Sequence, residues 1–84
     1  MNQAIQFIDR FEFNVQSQQL TFFAQVSGLM VKCVIDTQSL ALADQQAAKA
    51  HFEAVRFDYE DIAEQLIEYE EYNSAGEIVV AVLN

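Results

Sequence analysis

The sequence predicts an α+β fold. We expect an antiparallel meander of three to five strands, two or three helices packed on one face, and a C-terminal strand. Three observations carry this expectation. Apolar residues alternate with polar ones in three short runs of the first half, which is the mark of half-buried strands. From Thr37 the composition turns to Ala and Gln with apolar residues three or four apart, which suits helices. The stretch EIVVAVL then closes the chain, β-branched and apolar at successive positions, which suits a strand covered on both sides or lying against a partner.

The strands come first. In FEFNV, Phe11, Phe13 and Val15 share one face. Leu20, Phe22, Ala24 and Val26 do so in LTFFAQV, and Leu29, Val31, Cys33 and Ile35 in LMVKCVI. A two-residue turn at Ser27-Gly28 pairs Val26 with Leu29, Ala24 with Val31, Phe22 with Cys33 and Leu20 with Ile35, all on the apolar face. A turn centred on Ser17-Gln18 would pair Val15 with Leu20 and Phe13 with Phe22. The N-terminal AIQF is expected to add an edge strand.

The helices follow. The pattern predicts a short helix near 38–43 and a longer one near 45–56, with Asp44 ending the first or capping the second. The stripe of the longer helix is Ala48, Phe52 and Val55. A further helix is expected to start at Asp58 as N-cap, with Asp61 three residues on. Its apolar arc is Tyr59, Ile62, Ala63, Leu66 and Ile67. Asn73-Ser74-Ala75-Gly76 should break it. Phe22, Val31 and Leu66 are expected core residues.

The totals bound the function. With 84 residues the chain is one domain, 1–84, and 52% of it is hydrophobic, which argues for a packed globule. It has no apolar run of ~18 residues, no basic-then-apolar leader pattern and a single Cys, so a cytoplasmic location is expected. Thirteen acids against Arg10, Lys32, Lys49 and Arg56 give a net charge of −9. Direct contact with nucleic acid or an anionic membrane is therefore disfavoured. The expected partner is a protein, with a homodimer as one form of that.

The assembled residues resemble a bacterial family known as domain of unknown function 1488. The likeness runs through MNQAIQF-DR at the start, F-AQV-G at 22–28, C-I at 33–35 and RFD-E--AE-LIE-E at 56–70. It implies a compact α+β cytoplasmic domain and no particular activity. The family pattern has Pro where Phe23 stands, a Gly-Asp-Thr-Pro type helix start near Asp44, and a Trp-rich end where Ile78 to Leu83 stand. Residue 23 faces the first strand with its amide, so a Pro there would remove a ladder hydrogen bond and imply a bulge or an unpaired first strand in relatives.

One segment invites chemistry. Residues 57–73 hold seven acids and no Lys or Arg. On a helix, Glu60, Asp61, Glu64, Glu68 and Glu71 fill one arc opposite the apolar arc. Such an arc is ordinarily a solvated face. It has no basic partner at i+4, and Glu68, Glu70 and Glu71 stand at the end where the helix dipole disfavours anions. The functional reading is a docking face for a basic partner. A metal site is not expected, because the helix has no His or Cys and no calcium loop occurs.

The remaining candidates are weaker. His51 and Cys33 are one of each, a poor zinc set; His51 is expected to be a structural or surface residue and Cys33 a buried, unactivated thiol. Tyr59, Tyr69 and Tyr72 flank the acidic arc and could grip a cation or simply pack their rings. Phe23, Met30 and Val34 fall on the sheet face away from the Phe22 core. Either other parts of the chain cover them or they form a patch for a partner or a second copy.

No nucleophile–base pair and no phosphate loop occur, so no catalytic residue, cofactor or enzyme activity is expected. The leading reading is a protein-binding adaptor or regulator. The alternatives are a small-ligand-binding domain using the sheet–helix cleft, and a nucleic-acid mimic occupying a basic protein surface.

Overall fold

The computed structural model describes residues 4–84. Met1–Gln3, which begin the family-like N-terminal run, lie outside the described residues. Its elements are β1 (Ile5–Asn14), β2 (Gln19–Val26), β3 (Leu29–Asp36), α1 (Gln45–Ala54), α2 (Arg56–Glu68) and β4 (Ile78–Val80). They form an α+β fold with a sheet in the order β1-β2-β3-β4. The first three strands are antiparallel, and β4 runs parallel to β3 after the two helices cross over.

The β2–β3 hairpin follows the alternation residue by residue, from Val26 against Leu29 to Leu20 against Ile35. Ser27 and Gly28 both have positive φ, 49° and 86°, as a type I′ turn requires. The β1–β2 register is shifted by two residues from the expected one. Phe13 faces Leu20, and Phe11 faces Phe22. The connection holds four residues because the Asn14 side chain accepts from the backbone of Gln16 and Ser17, at 3.0 Å each, and Gln18 takes φ 57°. The apolar parity survives the shift, but Val15 moves into the turn and is exposed.

AIQF is not a separate strand. Ile5 to Phe7 open β1 itself, and an irregularity between Phe7 and Phe11 splits that strand. Its centre lies opposite Phe23, which has no partner in β1. That is the position where the family resemblance implies Pro, a residue with no N–H to give the ladder.

No helix forms over 38–43. The segment makes one turn, with the amides of Leu40 and Ala41 bonding Thr37 O, and Ala41 has φ 50°. Gln18 explains the stop. Its amide donates to Leu42 O and accepts from Leu42 N, both at 2.9 Å, so the backbone of Leu42 is satisfied without a helix. Asp44 instead caps α1, accepting from Ala47 N at 2.9 Å.

Val55, at φ −127°, ends α1, and α2 begins at Arg56 rather than after Asp58. Asp58 therefore sits in the first turn of α2 and is not its cap. Both helices lie on one face, where Phe22 meets Phe52 (5.3 Å between ring centroids) and Tyr59 (6.2 Å). Ala48, Tyr59, Ala63, Ile67, Ile78 and Val80 complete the core. Leu66 is only half-buried, because the buried line of α2 is Tyr59, Ala63 and Ile67 and Leu66 stands at its edge.

Helix α2 ends at Glu68, before the Asn73–Gly76 stretch expected to break it. The side-chain oxygen of Asn73 then accepts from the backbone of Ala75 and Glu77, and Tyr72 bridges Ile78. This loop shields the outer edge of β4, and the irregularity interrupts the outer edge of β1. Neither edge offers a long flat template for strand addition.

Candidate functional site

The solvent side of α2 is the most distinctive surface. Phe57, Asp61, Glu64 and Glu68 recur at spacings of four, three and four residues, so they form one straight stripe. All four are exposed, and Phe57 is 77% exposed. The expected acidic arc is thus rearranged. Glu60 has left it, since it is half-buried and Arg56 Nε donates to it at 2.9 Å. This basic partner at i,i+4 enters the helix because α2 starts three residues earlier than expected. Glu71 is exposed but lies beyond the helix end.

The end of α2 breaks two local rules. Glu71 N bonds Leu66 O at 2.9 Å and Glu70 N bonds Ile67 O at 3.0 Å, the paired bonds of a Schellman cap. The residue in the left-handed position is Glu70, at φ 57°, where Gly is the ordinary choice. The anions Glu68, Glu70 and Glu71 also meet the negative end of the helix. Tyr69 and Tyr72 are exposed beside them.

On the sheet face away from the helices, the expected Phe23/Met30/Val34 patch is mostly closed. Phe23 is 2% exposed and Val34 8%, while Met30 is 51% exposed. Arg10 explains Phe23. Its guanidinium lies 4.3 Å from the ring centroid and donates to Glu12 at 2.8 Å. Val34 lies between Thr21 and Val79 on the neighbouring strands. Of the three residues, only Met30 could touch a partner without rearrangement.

The potentially reactive groups are committed elsewhere. Cys33 is fully buried, and burial pushes its thiol up to about 12. His51 Nε2 lies 2.7 Å from the Tyr59 hydroxyl, and burial lowers the imidazole from its ordinary value. Tyr59, itself raised by burial, also accepts from Leu83 N at 2.9 Å. Tyr59 is thus a core residue rather than a flank of the acidic arc.

The hollows are open and shallow. One of about 250 Å³ lies between β1 and α1, over Phe11 and Phe52. Another of about 410 Å³ lies between α2 and the C-terminal segment. Between sheet and helices, where a ligand-binding cleft was an alternative expectation, Phe22, Phe52 and Tyr59 pack against one another and leave only that shallow hollow at the β1–α1 edge. No group of three or more His, Cys, Asp or Glu converges to hold a metal ion among the described residues.

Sequence reasoning missed Phe57. Its spacing from Asp61, Glu64 and Glu68 was visible, but the helix was expected to begin after it.

Residues 5–80 match the family described as a protein of unknown function (DUF1488). The chain is 36% identical over 80 residues to the uncharacterized protein YrdB of Escherichia coli K12, covering 90% of this chain and 94% of the relative. It is 35% identical over 80 residues to YrdB of Shigella flexneri, with the same coverage. A crystal structure of a DUF1488-family protein of unknown function from Shewanella loihica PV-4 superposes with a TM-score of 0.84 at 36% identity. That match covers 95% of this chain and 94% of the other.

Proposed function

The chain belongs to the DUF1488 family of proteins of unknown function, and from that premise we propose that it is an adaptor or regulator that binds another protein through the solvent face of α2. The observation that carries this reading is the exposure of Phe57 in line with Asp61, Glu64 and Glu68. A large apolar ring beside a row of carboxylates suits a partner with a pocket for the ring and a basic rim.

Residues 57–73, which carry most of α2 and the turn after it, hold seven acids and no Lys or Arg, so the charge along this face is predominantly negative and would steer a basic surface in. A second copy of the chain does not fit here, since acids would oppose acids. The Glu70 conformation and the uncompensated anions at the helix end support the same reading, because a local rule broken without structural gain can mark a functional surface.

Binding suits the chain better than catalysis, with Cys33 buried and His51 tied to Tyr59. Nucleic-acid mimicry suits it less well. From Asp61 to Glu68 the stripe is only about 10 Å long, short for a run of backbone phosphates.

The test is affinity capture from the native host with the parent, Phe57→Ser and a Glu64→Gln/Glu68→Gln double variant. A basic partner held by the parent and lost from both variants supports the proposal. Retention of every parent partner by both variants would refute it.

A further inference from the structure

The hollow of about 410 Å³ between α2 and the C-terminal segment adjoins the stripe, because Asp61 belongs to both. The half-buried Val55, Ile62 and Leu83 make an apolar floor, and the exposed Asp58, Asp61 and Asn84 stand at its rim. Neither carboxylate has an ion pair or hydrogen-bond partner among the described residues. The far wall is held in place. Leu83 N donates to the hydroxyl of Tyr59 at 2.9 Å, and Tyr59 is fully buried. The hollow is therefore shaped by a core hydrogen bond and not by a loose tail.

An apolar floor under an anionic rim is the complement of one kind of side chain. Lysine and arginine have an aliphatic stem that covers apolar surface and a cationic head that stays at the water boundary. We propose that this hollow receives a lysine or arginine side chain of the basic partner, with its stem over Val55, Ile62 and Leu83 and its cation between Asp58 and Asp61. The inference rests on the docking role of α2. It adds a second anchor about one helical turn from Phe57 and defines the partner chemically as a surface pairing an apolar pocket with a protruding basic residue.

The test is an NMR titration of the ¹⁵N-labelled protein with N-acetyl-arginine methylamide. Two controls separate the parts of the probe. Guanidinium chloride supplies the cation without the stem, and N-acetyl-norleucine methylamide supplies a stem without the cation. The proposal expects saturable shifts centred on the amides of Val55, Asp58, Ile62 and Leu83 that neither control reproduces. Asp58→Asn and Asp61→Asn, each checked for a native spectrum, should weaken binding about two- to fivefold. Shifts spread equally over Glu64, Glu68 and Glu71, or reproduced by guanidinium alone, would overturn it as plain charge attraction.

The two readings fail separately. A silent hollow leaves the Phe57 stripe intact as a docking face. A hollow that binds the probe, in a protein whose partners ignore Phe57→Ser, removes the stripe alone.

Discussion

His51 Nε2 lies 2.7 Å from the hydroxyl oxygen of Tyr59, which also accepts from the backbone N–H of Leu83 at 2.9 Å. One arrangement satisfies all three groups. The phenol donates its proton to a neutral imidazole protonated on Nδ1, and its lone pair takes the amide. Three parts of the chain, α1, α2 and the C-terminal segment, are tied at this one oxygen. Tyr59→Phe removes it with almost no change of shape. It should cost about 1–3 kcal/mol, the usual result of orphaning buried polar groups. Urea unfolding measures the loss, and faster amide exchange at Leu83 would locate it. An unchanged midpoint would mean water replaces the hydroxyl.

The same pair predicts a pH dependence. Burial lowers the His51 pKa in the fold from its ordinary 6.5. Below that value the unfolded chain binds a proton more readily than the native one. The stability associated with neutral His51 is complete above about 6.5 and is lost as pH falls through the folded value. The difference in unfolding free energy between parent and His51→Gln should therefore shift against the parent as pH falls from 7 to 5. A difference flat across that range would contradict the coupling.

The packing of α2 gives an ordered pair of substitutions. Ile67 is fully buried, whereas Leu66 stands at the edge of the apolar arc. Ile67→Ala should cost about 2–5 kcal/mol, a large share of what a domain of this size has to lose. Leu66→Ala should cost clearly less. The reverse order in chemical denaturation would show a different helix phase.

Glu70 can be improved on for stability. It occupies a left-handed conformation at φ 57°, which Gly adopts without a Cβ penalty. Glu70→Gly also removes an anion from the negative end of α2. The variant should be more stable by up to about 1 kcal/mol after the added freedom of the unfolded chain is counted. A lower melting midpoint would place a stabilising role on the Glu70 side chain.

Much of the fold was legible because FEFNV, LTFFAQV and LMVKCVI carry period-two alternation and Ser27-Gly28 fixes one register. What was hidden depends on side chains reaching across the chain. Gln18 meets Leu42, 24 residues away, and so suppresses the helix over 38–43. Asn14 lengthens the first turn and slides β1 by two residues. Arg10 closes over Phe23 from the irregular part of β1.

The site was legible in part for a related reason. Composition exposes the acids of 57–73, but the membership of the stripe depends on where α2 begins. Val55 sets that start through its backbone alone, with no capping side chain for a sequence pattern to flag.

The most direct measurement of the docking role is photo-crosslinking in the native host, with a photoreactive phenylalanine analogue at position 57 and, separately, at position 30. Both sites are exposed, so neither replacement should disturb the fold by more than about 0.5 kcal/mol. One dominant adduct is expected from position 57, to a protein with a basic surface, and Glu64→Gln/Glu68→Gln should abolish it. Adducts from position 30 with none from position 57 would contradict the docking role of α2 and move the binding surface to the open face of the sheet.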